Sequence, residues 1–336
     1  MVASLSMTIP VPGVTARGNV ALATRARGWG YASIWAAEVD GPEAMSLLGA
    51  AATAAPELDL GLAVAPVQTR TAFVLAMAAL TLQDLTGGRF SLGVGASSQV
   101  LVERFGGVTY TKPLTHVREM VEALRPALAG ERSTLDGEFV RIGGYRWPLP
   151  VMAPVPLYLG SLNRASLQLA GALADGLCIN QMTVEHTPRM LTLVREGAAA
   201  ANRALPADFP VVARLFCSVT DDPAPVKSLL PHVFAPYVAT EGYARFYSSM
   251  GFGDQVAAIR AASAQRDKAA MAAAYTPEMV DAVFAVGTAG EVVDRIQAHV
   301  AAGVTVATIA PVTATEDDAA ATFAAIGAEW RRRYGS

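Results

Sequence analysis

The feature that most restricts the fold of this chain is a repeated alternation of short apolar segments with longer amphipathic ones. Eight apolar segments have the length of strands, and each is followed by a helical pattern. Strands separated by helices pair in parallel through right-handed crossovers, so eight such units predict an α/β fold closed into a (β/α)8 barrel, the TIM barrel. An open doubly wound sheet is the alternative. The predicted strands are Leu5–Ile9, Ala32–Ala36, Leu58–Ala65, Arg89–Gly95, Pro156–Gly160, Gly176–Asn180, Val211–Val219 and Val304–Ala310.

Two stretches interrupt this alternation. Residues 133–147 predict a β-hairpin with Asp136-Gly137 as its turn and Thr134-Leu135 and Phe139-Val140 as its arms. Residues 221–285 predict a helical lid that covers the barrel mouth, builds a small core of its own, or does both. With these insertions, residues 1–336 are expected to form a single barrel domain. The lid holds several prolines and then the aromatic residues Tyr237, Tyr243, Phe246, Tyr247 and Phe252.

The composition is that of a globular protein with a large core, because 52% of the residues are hydrophobic and 16% are charged. A net charge of -3 offers no basic surface for a nucleic acid or an anionic membrane. Cys178 and Cys217 lie in apolar segments and are expected to be buried free thiols, which fits a reducing compartment. The chain shows neither a signal-peptide pattern nor an apolar run of membrane-spanning length, so a cytoplasmic location is expected. The 4 histidines are not spaced as metal ligands, and no metal is expected.

The segment Thr71–Leu82 is apolar nearly all round, although an outer barrel helix needs only one apolar face. A second apolar face indicates that another subunit covers it. The sequence therefore predicts a homodimer.

The active sites of such barrels lie at the carboxyl ends of the strands, so the residues after each strand are the candidates. After the fourth strand, Gly95 lets a ligand approach the backbone closely, and Ala96, Ser97 and Ser98 open the next helix. The free amides and the dipole of a helix start favour an anion. A tight turn capped by serine is the alternative.

A second candidate anion site is the loop with Gly287 and Thr288, which starts the helix before the last strand. Barrels often bind phosphate with their late loops and a helix N-terminus. Equally, Thr288 is a plain N-cap with Glu291 at the capping-box position.

Three charged residues near the predicted mouth are candidates for chemistry or binding. Glu38, after the second strand, is the candidate proton donor or acceptor, whereas Asp40 is expected to cap a helix or lie at the surface. Arg214 lies inside the seventh strand, which is unusual for a buried strand. It either points into the lumen to meet an anionic group or forms an internal ion pair.

Taken in order along the chain, these motifs resemble the luciferase-like flavin and deazaflavin oxidoreductases, the bacterial luciferase superfamily. The strongest similarity is to the family signature Leu-x-x-Leu-Ser-Gly-Gly-Arg followed by Gly-x-Gly, and here Leu82–Gly95 reads LQDLTGGRFSLGVG. Lys112–Leu114, with Arg118-Glu119, resembles the branch that uses coenzyme F420. Weaker similarities are Tyr31–Glu38, Pro156–Gly160, Ala174–Gly176, Val286–Thr288 and Ala302–Val304.

The resemblance implies a cofactor ring at the barrel mouth, propped by a non-prolyl cis peptide in a bulge of the third strand. The matching bond joins Ala63 and Val64. The tail phosphate of the cofactor would meet Ala96–Ser98. The loops that would line the other edge of the ring contain Gly160, Ser161, Leu162, Asn163 and Gln181.

Three departures from the family pattern bear on the substrate. Members that oxidise sugar phosphates or alcohols carry a catalytic histidine after the second strand, where this chain has Val39. Their glutamate after Gly-x-Gly corresponds to Ser98, and two glycines after the fifth strand correspond to Leu162 and Asn163. The resemblance therefore does not imply either of those substrates.

The function expected from the resemblance is hydride transfer between coenzyme F420 and a small organic substrate, with substrate reduction favoured. An FMN-dependent monooxygenase that uses reduced flavin and oxygen is the first alternative. A barrel that binds a ligand without turnover is the second.

Overall fold

The computed structural model describes residues 4–313 and 315–335, and eleven strands lie within them. Eight of these strands are parallel and follow one another round a ring in the order β1, β2, β3, β4, β7, β8, β9 and β11. Pairing of β8 with β9 and of β11 with β1 closes the ring, so the predicted barrel is confirmed and the open sheet is excluded. The strands are β1 (Ser4–Ile9), β2 (Ser33–Ala36), β3 (Asp59–Pro66), β4 (Phe90–Gly95), β5 (Ser133–Asp136), β6 (Arg141–Tyr145), β7 (Leu157–Gly160), β8 (Gly176–Asn180), β9 (Val211–Val219), β10 (Ala285–Gly287) and β11 (Val306–Pro311).

The α-helices pack outside the barrel or form the lid. As the alternation predicts, a helix follows each of the eight strands of the ring. No helix in residues 4–313 or 315–335 has both the length and the apolar character needed to cross a membrane. The helices are α1 (Ala16–Arg25), α2 (Ala44–Ala54), α3 (Ala72–Leu85), α4 (Pro113–Leu128), α5 (Arg164–Leu173), α6 (Thr187–Ala200), α7 (Pro223–Val238), α8 (Glu241–Ser249), α9 (Gly253–Ala264), α10 (Lys268–Ala274), α11 (Pro277–Val283), α12 (Ala289–Ala301) and α13 (Glu316–Tyr334).

The hairpin is present, but its turn is not the predicted one. Strand β5 pairs with β6 in antiparallel fashion, and the turn spans residues 137–140 rather than Asp136-Gly137, so Phe139-Val140 belongs to the turn and not to an arm. The reason is a contact that local sequence does not contain. The Glu119 carboxylate on α4 accepts hydrogen bonds from the backbone N–H groups of all three residues Glu138, Phe139 and Val140.

The insertion after β9 is helical, as predicted, and consists of α7 to α11. Apart from the exposed Tyr237, its aromatic residues join the core of the barrel rather than forming a separate one. Phe234 of the lid makes edge contacts with Phe216 of β9 and with Phe284, with ring centroids 4.9 Å and 4.6 Å apart. The lid is thus fixed onto β9.

The interior of the barrel holds a small cluster of its own, made of Trp35, Tyr158, Cys178 and Val212. Cys178 and Cys217 are both buried free thiols, as predicted, and burial raises the pKa of each thiol. The short strand β10 was not predicted. It pairs with the carboxyl end of β9, where Ala285 lies opposite Cys217.

Candidate functional site

The side of the mouth formed by β3, β4 and β7 is built around Val64. Strand β3 has a bulge between Leu62 and Ala65, and the Ala63–Val64 peptide within it is cis, as the family resemblance implies. The Val64 side chain lies against Gly95 of β4 and Gly160 of β7. We call Val64 with Gly93, Gly95 and Gly160 the cradle.

The three glycines of the cradle are required by close approach. A Cβ on Gly95 would lie 2.8 Å from Val64 Cγ2, and one on Gly160 would lie 3.0 Å from Val64 Cγ1. A Cβ on Gly93 would lie 2.2 Å from the carbonyl oxygen of Leu62. The result is an apolar surface of backbone and one valine, with no side chain projecting from β4 or β7 at these positions. Such a surface suits the face of a flat ring.

The segment after β4 differs from the expected helix start. Ser97 has a left-handed backbone with φ of 55°, and the helix that follows Ser98 is a six-residue π-helix, Val100–Phe105. Ser98 is used at its start, because its Oγ accepts a long hydrogen bond from the N–H of Leu101 at 3.4 Å. The serine-capped turn is therefore present, and the dipole of a long α-helix is not.

The loops after β7 and β8 hold the lid. Asn163 caps α5, and its side-chain amide donates to the carbonyl of Gly242 in the lid. Gln181 is 3% exposed, and its Oε1 accepts a hydrogen bond from the Tyr247 hydroxyl at 3.0 Å. Ser161 donates to the Ser166 carbonyl. These polar groups are thus partnered within the protein and fix the lid over β7 and β8.

Thr288 has the N-cap role in this structure. Its hydroxyl and the Glu291 carboxylate form a capping box at the start of α12, and the Glu291 carboxylate accepts from Thr288 N at 2.9 Å. A Cβ on Gly287 would lie 2.5 Å from Glu291 Oε2. Because a carboxylate already fills this helix start, a phosphate there would meet a negative charge.

Glu38 lies at the carboxyl end of β2 and is paired with Arg70. Arg70 Nε and one terminal nitrogen donate to the two carboxylate oxygens at 3.0 Å and 2.7 Å, and the same nitrogen also pairs with Glu43. The side chains of Glu38 and Arg70 are 17% and 16% exposed. Fork-shaped pairing of this kind is strong and geometrically fixed. The fork from Arg70 therefore fixes the orientation of the Glu38 carboxylate at the mouth.

The opposite side of the mouth is formed by β9, β11 and β1 and carries polar groups without partners. Arg214 of β9 lies beside Thr308 of β11, and Thr8 is two residues beyond the β1 residue that pairs with Thr308. Alternation along a strand puts all three on the inner face. Arg214 Nε, Thr308 Oγ1 and Thr8 Oγ1 are buried and make no hydrogen bond to the described residues.

The internal ion pair considered for Arg214 is not formed with any residue in 4–313 or 315–335. Its guanidinium carbon lies 4.9 Å from the ring centroid of Phe216. Burial lowers the pKa of Arg214, and the lid phenols Tyr243 and Tyr237 partly oppose that shift. Arg214 is thus a lumen-facing cation close to two tyrosines of the lid.

Sequence reasoning identified Arg214 but missed Thr8, Thr308 and Gln68. Both polar atoms of the Gln68 amide, just after β3, are also buried and unpartnered. A weak signal for the threonines exists, because each is a polar residue inside an apolar strand on the same alternating register as an inward residue. The barrel closure is what brings them beside Arg214.

The two sides of the mouth face each other. In the eight-strand ring, β9 is four strands from β3 in either direction. The cradle and Arg214 are therefore on opposite walls of one lumen, with the end of β2 on one flank and that of β8 on the other.

Comparisons with known proteins agree with this architecture. The family model for luciferase-like monooxygenases matches residues 4–306. The chain is 31% identical over 213 residues to 5,10-methylenetetrahydromethanopterin reductase of Methanolobus tindarius, a match that covers 62% of this chain and 64% of that protein. It is 28% identical over 313 residues to a Mycobacterium tuberculosis protein provisionally named a coenzyme F420-dependent oxidoreductase, covering 86% of this chain and 89% of the relative.

A solved structure shows the same fold over the full length. The coenzyme F420-dependent tetrahydromethanopterin reductase of Methanopyrus kandleri aligns with a TM-score of 0.81 at 21% identity, covering 97% of this chain and 98% of that one. The cis peptide, the β3 bulge and the family match agree with the similarity read from Leu82–Gly95. The chain belongs to the luciferase-like monooxygenase family of oxidoreductases.

Proposed function

We propose that this protein is a coenzyme F420-dependent oxidoreductase that transfers a hydride between the deazaflavin and a small organic substrate. The observation that carries the proposal is the cradle: an apolar surface of the right kind for a ring, in a chain whose relatives include F420-dependent enzymes. When bound, the deazaflavin would supply the hydride chemistry. The work of the protein is to bind, orient and exclude water.

The residues of the described chain fit such a group. Val64 and the glycines Gly95 and Gly160 would support the ring, with Ala63 in the same bulge. The buried, unpartnered amide of Gln68 lies at the end of the same strand and is available to a polar edge of a ligand. The segment Ala96, Ser97 and Ser98 would meet the tail phosphate through its hydroxyl and backbone groups.

The loops with Gly160–Asn163 and Gln181 would enclose the ring indirectly, by holding the lid over it. A lid held over the site excludes water. This exclusion strengthens each polar contact inside and protects a hydride from solvent. We leave Gly287 and Thr288 out of the proposed cofactor site, because Glu291 fills that helix start. Glu38 remains the proposed proton donor or acceptor, and its fork-shaped pair with Arg70 would hold it in place.

The direct experiment is an equilibrium titration of the purified protein with coenzyme F420 and, separately, with FMN. The proposal expects tight F420 binding and little FMN affinity. Preference for FMN would contradict it and favour a monooxygenase, which oxygen-consumption assays would then test. Binding of neither would favour a barrel without turnover.

A matched pair of variants ties the titration to the cradle. Gly95→Ala places a Cβ 2.8 Å from Val64 Cγ2, so the valine must move and F420 affinity should fall about tenfold or more. Gly49→Ala makes the same chemical change in α2, where a Cβ meets nothing within 4 Å, and should leave affinity unchanged. Equal affinity of the two variants would remove the cradle from the cofactor site.

The exposed face of α3 supports a second proposal, the homodimer. Phe73 is 45% exposed and Val74 is 41% exposed, so the second apolar face of α3 is open in the single chain. Phe73→Glu should produce monomers in analytical ultracentrifugation, whereas Val233→Glu, at an equally exposed valine of the lid, should not. A wild-type protein that sediments as a monomer would contradict the proposal.

A further inference from the structure

The β9–β11–β1 side of the mouth has a pattern that packing does not explain. Buried polar atoms in proteins are almost always hydrogen-bonded, and an unpartnered one costs free energy. Here the unpartnered Arg214 Nε and Thr308 Oγ1 lie on paired strands at the same register position. Thr308 is 2% exposed. A cation and a hydroxyl that converge without partners indicate a ligand that accepts hydrogen bonds.

The charge of this ligand follows from the surroundings of Arg214. Among the described residues, the charged or titratable side chains whose electrostatic interaction affects the pKa of Arg214 are the phenols of Tyr243 and Tyr237. Burial raises the pKa of both phenols, so both remain neutral near pH 7. A single cation compensates one negative charge, and a dianion such as a phosphate monoester would leave a charge unpaired in a region of low dielectric constant. The site therefore fits a monoanion.

The shape of the partner follows from the guanidinium. Arginine presents a planar fork of donors that matches the two oxygens of a carboxylate. The Tyr237 and Tyr243 rings meet edge to face, with centroids 5.9 Å apart, and Phe216 lies under the guanidinium. These aromatic surfaces would bury the organic part of a small acid.

The position of Arg214 favours the substrate over the cofactor as the ligand. The cradle is on β3, β4 and β7, whereas Arg214 is on the strand diametrically opposite β3. A ring supported on Val64 would leave the opposite side of the lumen, where β9 lies, for the substrate. The lid tyrosines, which belong to the insertion after β9, lie on this side as well.

We propose that Arg214, assisted by Thr308, binds the carboxylate of the substrate, and that the substrates of this enzyme are small organic acids with one free carboxylate. This inference rests on the proposed function, because it takes the ligand opposite the cradle to be the substrate. Arg214 orients the acid so that its reducible carbon faces the ring.

One charged neighbour needs a separate control. Asp40, after β2, is exposed and acts through its charge on Tyr237. It makes no ion pair with Arg214 in the structure. If Asp40 instead served as the partner of Arg214 when the lid moves, Asp40→Asn would expose the cation and strengthen binding of any added carboxylate. The proposal expects no such change.

The test measures binding rather than turnover. Calorimetric titration of the F420-saturated protein with benzoate and benzamide, and with acetate and acetamide, compares each carboxylate with a neutral molecule of the same shape. At least one carboxylate should bind about 10- to 100-fold more tightly than its amide. That preference should vanish in Arg214→Met, survive in part in Arg214→Lys, and weaken a few-fold in Thr308→Val. No preference in either wild-type pair would overturn the proposal.

The same samples separate this inference from the proposed function. The affinity of Arg214→Met for F420 should equal that of the wild type within about twofold, because Arg214 is on the wall opposite the cradle. Arg27→Met, which removes an exposed arginine from the opposite end of the barrel, controls for net charge. Loss of F420 affinity in Arg214→Met would assign Arg214 to the cofactor and overturn the substrate site. Absence of F420 binding to the wild type would contradict the proposed function, and the carboxylate preference would then be measured on the protein alone.

Discussion

The β3–β4–β7 wall and the β9–β11–β1 wall of this mouth are made of the same kind of strand, yet they present opposite surfaces. The first consists of three glycines packed closely against Val64, so no side chain projects at those glycine positions. The second presents Arg214 Nε and the hydroxyls of Thr8 and Thr308, which have no hydrogen-bond partner among the described residues. The two walls are therefore constrained differently. Close packing fixes the first, whereas the second keeps polar groups that lower the free energy of unfolding.

This contrast fits a division of labour within one lumen. A cofactor shared across a family needs a constant surface, and close-packed backbone provides it. A substrate that differs between members needs groups that can vary, and here these come from one strand and the inserted lid. Each wall should therefore respond differently to substitution.

The largest effect is expected on the close-packed wall. Gly93→Ala would place a Cβ 2.2 Å from the Leu62 carbonyl oxygen, a backbone atom that cannot move without opening the pairing of β3 with β4. We expect the free energy of unfolding to fall by about 3 kcal/mol or more, measured by urea denaturation. In contrast, Gly49→Ala should raise it by about 0.5–1 kcal/mol. Equal stabilities would show that the wall is not close-packed.

Acidification should lower the free energy of unfolding without changing carboxylate binding at the β9–β11–β1 wall. His299 of α12 is 2% exposed, and burial lowers its pKa to about 4 from an unfolded value of 6.5. As the pH falls from 6.5 toward 4, His299 takes up a proton in the unfolded state before it does so in the folded state. The free energy of unfolding is therefore highest above pH 6.5 and decreases as the pH falls toward 4. The change is about 3 kcal/mol in thermal or urea unfolding, and His299→Gln should remove it.

A matched control and a binding measurement sharpen this prediction. His232→Gln, at an exposed position of the lid, should leave the pH dependence as in the wild type. Carboxylate binding by Arg214 should stay constant over about pH 5 to 8, since arginine keeps its charge. If carboxylate affinity fell together with the free energy of unfolding across that range, the two would not be independent, and the prediction would be wrong.

On the polar wall, a substitution should stabilise the protein. Arg214→Met replaces a cation without a carboxylate partner by an apolar side chain, so the free energy of unfolding should rise by about 1–2 kcal/mol. Differential scanning calorimetry of the protein without ligands measures this. A clear loss of stability would mean that Arg214 has a structural partner and is not kept for a ligand.

The smallest effect concerns the lid. Tyr247→Phe removes the hydroxyl that bonds Gln181 Oε1 at 3.0 Å and Tyr275 at 2.9 Å, and should cost about 1 kcal/mol. Tyr145→Phe is the matched control, because the buried Tyr145 hydroxyl makes no hydrogen bond to any residue that the structure describes. Equal urea midpoints for the two variants would argue against the tether between Gln181 and the lid.

Much of the fold could be predicted from sequence because its signals are local. Each barrel strand is one contiguous apolar segment, and the Gly-Gly-Arg motif before β4 with its Gly-x-Gly is read directly. The hairpin turn was misplaced because its determinant, Glu119, lies on another helix. Local sequence cannot show which distant carboxylate will accept the N–H groups of a turn.

The site was predictable only in part, for the same physical reason. Glu38 was predicted as the candidate proton donor or acceptor, and its pairing with Arg70 appears only when β2 and β3 end side by side. Thr308 looks like an ordinary strand residue, since threonine favours strands. Its role in the site can be inferred only from the strand register, which sets it beside Arg214.

We propose that cofactor and substrate occupy opposite walls of one lumen, and a crystal structure of the protein with F420 and a bound carboxylate would test this arrangement. We expect the deazaflavin ring against Val64, Gly95 and Gly160, with the carboxylate on Arg214 and Thr308. A ring that packs against β9, or whose polar edge accepts hydrogen bonds from Arg214, would contradict it.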